Sequence, residues 1–152
     1  MIRNARRIDH VAGLVRPEHF ASTIDRMSDV LGTSFYGPID RPAAGLRVAM
    51  SLETGIELIT PLSDDPANPL MQLLEQRGPH WMSLVFGVSD LDATCDHLAK
   101  LGYTPMRRAS PLQPGDPHRA EIARMEQASF DPELFHGLPF VFSVAEGHDG
   151  AS

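Results

Sequence analysis

One cysteine, one tryptophan and two tyrosines are all that 152 residues hold of these types. With Cys95 alone, no internal disulfide can form, and a cross-linked secreted scaffold is excluded. Cys95 falls in a helical pattern with no second thiol, histidine or acid forced beside it, so packing rather than nucleophilic catalysis is expected of it. No apolar run approaches the roughly 18 residues that a membrane-spanning helix needs. Positive charge is also scarce: 13 Lys and Arg against 20 Asp and Glu leave a formal charge of −7. Nucleic acid and anionic membranes are gripped by clustered Lys and Arg, so neither is an expected partner. The small clusters Arg3, Arg6, Arg7 and Arg107, Arg108 suit at most one small anion. The basic N-terminus leads into a short strand pattern rather than an apolar leader with a small-residue cleavage site, which points to a cytoplasmic location.

What the sequence does hold is a repeat. Ile8-Asp9-His10-Val11-Ala12-Gly13-Leu14-Val15 is an apolar stretch of strand length with a polar residue in third place, and Trp81-Met82-Ser83-Leu84-Val85-Phe86-Gly87-Val88 has the same plan. Each precedes a helical pattern that closes on Leu-Gly and an aromatic: Leu31-Gly32 with Phe35, and Leu101-Gly102 with Tyr103. Two copies of one supersecondary unit are implied. With 42% apolar and 22% charged residues, the 152-residue chain suits one globular domain made of two modules. The first spans about residues 6–62 and the second 80–146, with a connector at 63–79 and a polar tail at 147–152.

In order, the first module reads as a strand at 8–15, then a helix capped by Ser22 or Thr23 and stopped by Gly32. Ile24, Met27, Val30 and Leu31 make one apolar stripe along it. Residues 35–45 read as turns, 46–52 and 56–60 as a hairpin, and Leu70 to Arg77 as a short helix. The second module repeats this with strands at 103–108, 120–125 and 137–144, a Pro/Gly loop at 110–117, and an undecided stretch at 127–135.

Ile8-Asp9-His10-Val11-Ala12, Leu31-Gly32, Gly45-Leu46-Arg47-Val48-Ala49, Gly55-Ile56-Glu57-Leu58-Ile59-Thr60-Pro61-Leu62 and the run from Arg77-Gly78 to Leu91 together resemble the vicinal oxygen chelate superfamily. Glyoxalase I, bleomycin-resistance proteins, extradiol dioxygenases and methylmalonyl-CoA epimerase belong to it, and the pattern is most similar to the epimerase. The resemblance implies an α+β fold of two βαβββ modules, whose cupped mixed sheets enclose a ligand cavity, and a homodimer. It also implies a divalent metal (Zn, Co, Ni, Mn or Fe) held by the first and last strands of each module, acting as Lewis acid on a substrate that presents two neighbouring oxygens.

His10 and Glu57 stand at the first module's two ligand positions. The second module departs from the pattern: Ser83 stands where a histidine belongs, as the repeat with His10 independently indicates. Val141, or Ser143 on a two-residue shift, stands where a carboxylate belongs, and none of these replaces the missing ligand. His80 lies on the opposite strand face, roughly 10 Å along the chain, and Glu146 has the wrong parity. Two donors make a weak metal site.

Three readings stay open. The cavity holds an organic ligand without metal; the metal is completed by residues such as His118, Glu121, Asp131 or His136; or His10 and Glu57 form a metal-free acid/base couple. Trp81, Ser83, His118 and Arg119 are expected to contact substrate, Trp81 as a stacking wall and Arg119, Arg107 or Arg108 on an anionic group. The plainer alternatives are that His10 bonds a backbone carbonyl, that Glu57 pairs with Arg47, and that His118 and His136 are loop or turn residues. The function expected is isomerase, epimerase or lyase chemistry through an enolate-like intermediate on a small carbonyl or thioester metabolite. The alternative is a non-catalytic, metal-free small-molecule-binding protein resembling bleomycin-resistance proteins.

Overall fold

The computed structural model describes residues 5–120 and 122–148. The alternating run at the start of the chain becomes strand β1 (Ala5–Leu14), and the chain then turns into helix α1 (Phe20–Leu31). The helix begins earlier than Ser22 or Thr23 because Pro17 nucleates a 3-10 turn ahead of it. The hydroxyls of Ser22 and Thr23 instead donate to the carbonyl of His19 from within the first turn. Gly32 closes the helix at φ 62°, a left-handed conformation that favours glycine, and its N–H donates to the Ser28 carbonyl.

Residues 36–41, expected as turns, form strand β2 (Tyr36–Arg41) at the edge of a sheet. Gly37 and Pro38 hid it in the sequence. An edge strand tolerates proline, and the register to its neighbour shifts between Tyr36 and Ile39. The hairpin of β3 (Leu46–Ser51) and β4 (Ile56–Pro61) follows, then helix α2 (Pro69–Arg77), capped by the Asn68 side chain accepting from the Leu70 N–H.

The second half carries β5 (His80–Val88), α3 (Leu91–Lys100), β6 (Arg107–Ala109), β7 (Ile122–Ser129) and β8 (Phe140–Gly147). Asp90 caps α3 by accepting from the Ala93 N–H. The stretch 127–135 divides into the end of β7 and a 3-10 turn at Pro132–Phe135.

The chain forms two compact units, His10–Met82 and the remainder, which takes in the segment up to Asp9 and everything from Ser83. In the first, strands run in the order β2-β3-β4-β1, antiparallel except for the parallel pair β4 and β1. In the second, the order β5-β8-β7-β6 repeats that plan, with β5 parallel to β8. Each unit thus arranges its strands and helix as a βαβββ module with a mixed sheet.

Two cores cover opposite faces of the first sheet. Ala12, Leu14 and Ile59 pack under α2, whose Leu74 is fully buried, while Ala49 and Leu58 pack under Phe20, Ile24 and Met27 of α1. The stripe on α1 is shorter than expected: Val30 is 82% exposed and Leu31 also faces solvent, because only the first two turns meet the sheet.

In the second unit Val88, Ala128, Phe142 and Val144 pack under Leu91, Cys95 and Leu98 of α3, joined by Phe86, Phe130 and Phe140. Burial pushes the Cys95 thiol above its ordinary pKa, because the thiolate would lose its solvation there. Labelling of native protein by a thiol reagent at neutral pH should therefore be slow and become rapid on unfolding. Stoichiometric labelling within the dead time would contradict this packing.

Candidate functional site

Strand alternation decides which side chains meet. On β1, His10, Ala12 and Leu14 share one face; Glu57 and Ile59 of β4 share it too, because Ala12 lies opposite Glu57 in the parallel ladder. The result is a pair: His10 Nε2 lies 3.5 Å from Glu57 Oε2. His10 is 3% exposed and Glu57 23%, so the carboxylate is the member open to solvent and the imidazole stands behind it. Met50 of β3 flanks Glu57 on the other side. Glu57 does not pair with Arg47, whose guanidinium makes a two-pronged bond to Asp40 and holds that carboxyl below its usual range.

Trp81 lies elsewhere in the first unit. A side-chain carbon placed on Gly13 would sit 2.9 Å from Cζ3 of the indole and 3.6 Å from Leu58. Gly13 and Leu58 project to the face opposite that of His10 and Glu57, so the ring rests on the α1 side of β1 and is 55% exposed. Gly13 is glycine at a close approach, where a methyl group would meet a movable ring. Gly13→Ala should displace the indole with little loss of stability. Since this is the one tryptophan, a red shift of its fluorescence reads the displacement, and an unchanged spectrum would contradict the contact. A cavity of about 420 Å³ also lies beside α1, lined by Phe20, Ile24, Pro38 and Leu62, and the His10–Glu57 pair does not line it.

In the second unit, Val85 pairs with Val141 and Gly87 with Ser143, which places Ser83, Val85, Val141 and Ser143 on the face away from α3. Ser83 and Val141 are half-buried, and Ser143 is 3% exposed. The Ser143 hydroxyl is buried and finds no hydrogen-bond partner among the described residues, which no sequence pattern announces. Glu146 projects to the other side of β8 and accepts from Arg124.

The loop after β6 is tied down by Arg119, whose guanidinium donates to the carbonyls of Gln113 and Leu112. With Ser110, Leu112, Arg124 and Glu126 it lines a cavity of about 340 Å³. Arg108 is committed to Asp92 and Glu126, and with Arg124 it holds the Glu126 carboxyl below its usual range. His136 caps the turn after Phe135 in a left-handed conformation and is exposed, and the Asp131 carboxylate accepts from the Glu133 N–H. The His118 side chain and Glu121 lie outside the described residues.

A metal of the kind the resemblance implies needs three or more protein donors. Among the described residues no group of three His, Cys, Asp or Glu side chains is placed to hold one. His10 and Glu57 supply two, and the described donor set does not fit a metal centre. No helix among the described residues is long and apolar enough to cross a membrane.

Comparison with known proteins agrees with this architecture. The model of the glyoxalase-like domain family matches residues 8–151. The methylmalonyl-CoA epimerase of Mycobacterium tuberculosis superposes with a TM-score of 0.77 at 22% identity, over 100% of this chain and 96% of that one. A hypothetical protein from Bacillus halodurans gives 0.72 at 20% identity over 91% and 93% of the two chains. A variant of the Streptomyces coelicolor methylmalonyl-CoA epimerase, in complex with 2-nitronate-propionyl-CoA, gives 0.70 at 17% identity over 92% and 94%. A sequence comparison with curated proteins finds no match. At these identities the structures establish a shared fold, and the family match establishes descent: the chain belongs to the glyoxalase-like domain family of the vicinal oxygen chelate superfamily.

Proposed function

We propose that this protein is an isomerase-type enzyme that moves a proton at the carbon α to a carbonyl or thioester, and that His10 and Glu57 are its acid/base couple without a metal. The observation that carries this reading is the pair itself: a buried imidazole 3.5 Å from a carboxylate that retains an opening to solvent. An imidazole and a carboxylate so placed can pass a proton between them, which a purely apolar cavity wall could not do. Glu57, as the open member, takes the proton from the α carbon. The C–H electron pair becomes the enolate, the carboxyl proton exchanges with solvent through its opening, and a proton returns from the carboxyl to the carbon after the planar enolate has turned its other face to it. His10 orients Glu57 and shares the proton while the enolate lasts, which matches acid/base catalysis by a positioned pair. The methylmalonyl-CoA epimerases that share the fold support thioesters as the first substrates to try.

The test is exchange of the α proton in D₂O, followed by proton NMR on a panel of methylmalonyl-CoA, propionyl-CoA and glutathione hemithioacetals of 2-oxo aldehydes. Enzyme-dependent loss of the α-proton signal from at least one class supports the reading. Binding of panel members without exchange would replace it with the non-catalytic binding protein.

A further inference from the structure

The sheet face that carries His10 and Glu57 is covered at one end and open at the other. Leu14, Ile59 and Leu46 on that face pack with Leu70 and Leu74 of α2. Two residues back along β4 from Ile59 the cover ends. There Glu57 is 23% exposed, Met50 opposite it on β3 is half-buried, and Tyr36 opposite Met50 on β2 is 37% exposed. Ladder partners project to the same side of a sheet, so Tyr36, Met50 and Glu57 stand in one row across three neighbouring strands, all within the first unit.

Neighbouring strands lie about 4.8 Å apart, which puts β2 and β4 roughly 10 Å from each other in this row. A hydrogen bond of about 2.7 Å from the phenol and an approach of about 3 Å to the carboxylate leave between them the span of one carbonyl group and its neighbouring carbon, with Met50 as floor. Proton removal by Glu57 moves the C–H electron pair toward the carbonyl oxygen, where a fixed donor stabilises the developing charge. Of the three side chains in the row, Met50 has no hydrogen to give and Glu57 is the base, whereas the Tyr36 phenol is a donor. A phenol donates one hydrogen and accepts as well, so it can serve a ligand oxygen beside another partner.

We infer that Tyr36 donates its phenol hydrogen to the carbonyl oxygen of the substrate and stabilises the enolate there, while Glu57 works on the α carbon from the opposite flank. The inference rests on the proton-transfer reading above and adds to it the residue that receives the charge. The phenol O–H bond stays intact throughout; the proton that moves is the one between carbon and Glu57.

Tyr36→Phe keeps the ring and removes only the hydroxyl at an exposed position, so the melting temperature should stay within a degree or two. Exchange of the α proton should slow about 10- to 10²-fold, the worth of one hydrogen bond to a developing charge, with KM changed only a few-fold. Binding gives a second readout that needs no turnover. The nitronate analogue of a propionyl-CoA enolate, with its charge on oxygen, is titrated calorimetrically into the full chain beside propionyl-CoA itself. Tyr36→Phe should weaken the nitronate about tenfold or more and propionyl-CoA much less. Exchange at the wild-type rate in Tyr36→Phe would overturn the role and leave the enzyme reading standing. Nitronate binding that depends on Tyr36, in a protein that exchanges no substrate, would remove the enzyme reading and keep the donor. Equal losses for both ligands, or a melting temperature lowered by several degrees, would make the hydroxyl a structural group and overturn the role. Wild-type protein that binds the nitronate no more tightly than propionyl-CoA would overturn it equally.

Discussion

Glu57→Gln should lower the rate of α-proton exchange about 10²- to 10⁴-fold, the range that a positioned general base contributes, while ligand affinity changes only a few-fold. The reason lies in what the substitution keeps. Gln has the shape of Glu and still reaches His10 Nε2 across the observed 3.5 Å, so the strand, the buried imidazole and the opening to solvent all survive. Only the capacity to accept a proton is lost. His10→Asn should give a smaller loss, because it removes the group behind the base and leaves the base in place. Comparison of the two separates orienting from proton transfer. Equal rates in wild type and Glu57→Gln, on a substrate that wild type exchanges, would contradict the role given to the carboxylate.

The largest effect on stability should come from Phe142→Ala, which should cost about 3–5 kcal/mol. Phe142 lies 5.3 Å ring to ring from Phe140, 5.9 Å from Phe130 and 6.0 Å from Phe86, the first two edge to face. Its partner across the ladder is Ala128, a fully buried methyl group that cannot extend to fill the void. The cavity would therefore stay open, and the edge-to-face contacts would be lost with the ring. For a chain of this length the melting temperature should fall on the order of 10 °C. A fall of one or two degrees would mean that the cluster collapses around the gap and that the sheet bearing Ser143 is more plastic than its packing indicates.

Much of this architecture can be read from the residues, and the exceptions have physical causes. His10 and Glu57 were legible together through the resemblance, which puts both at the first module's ligand positions; each also interrupts an apolar strand, and in the structure the parallel pair β1 and β4 brings them to one face. The cap at Gly32 and the hairpin of β3 and β4 followed from local turn chemistry. β2 did not, since Gly37 and Pro38 read as turn residues and only the pairing with β3 makes them an edge strand. The contact of Trp81 was not legible either: strand parity shared with Ser83 gives only the face its ring takes, and the missing side chain of Gly13 is what admits the ring on the α1 side. The unpaired hydroxyl of Ser143 could not be read either. Sequence shows which face a serine takes, and only the packed structure shows that none of the described residues bonds to it.

The shortage of donors around His10 and Glu57 among the described residues has one direct consequence for the proposed chemistry: exchange should not need an added or retained metal. The measurement that tests this most directly is α-proton exchange in D₂O by protein dialysed against a strong chelator, with and without Zn, Co, Ni, Mn or Fe restored, beside Glu57→Gln treated in the same way. The account predicts that chelated wild type exchanges at the untreated rate, that no metal raises it, and that Glu57→Gln is slow throughout. Exchange abolished by the chelator and restored by one metal would contradict it, and would mean that His10 and Glu57 are metal ligands after all.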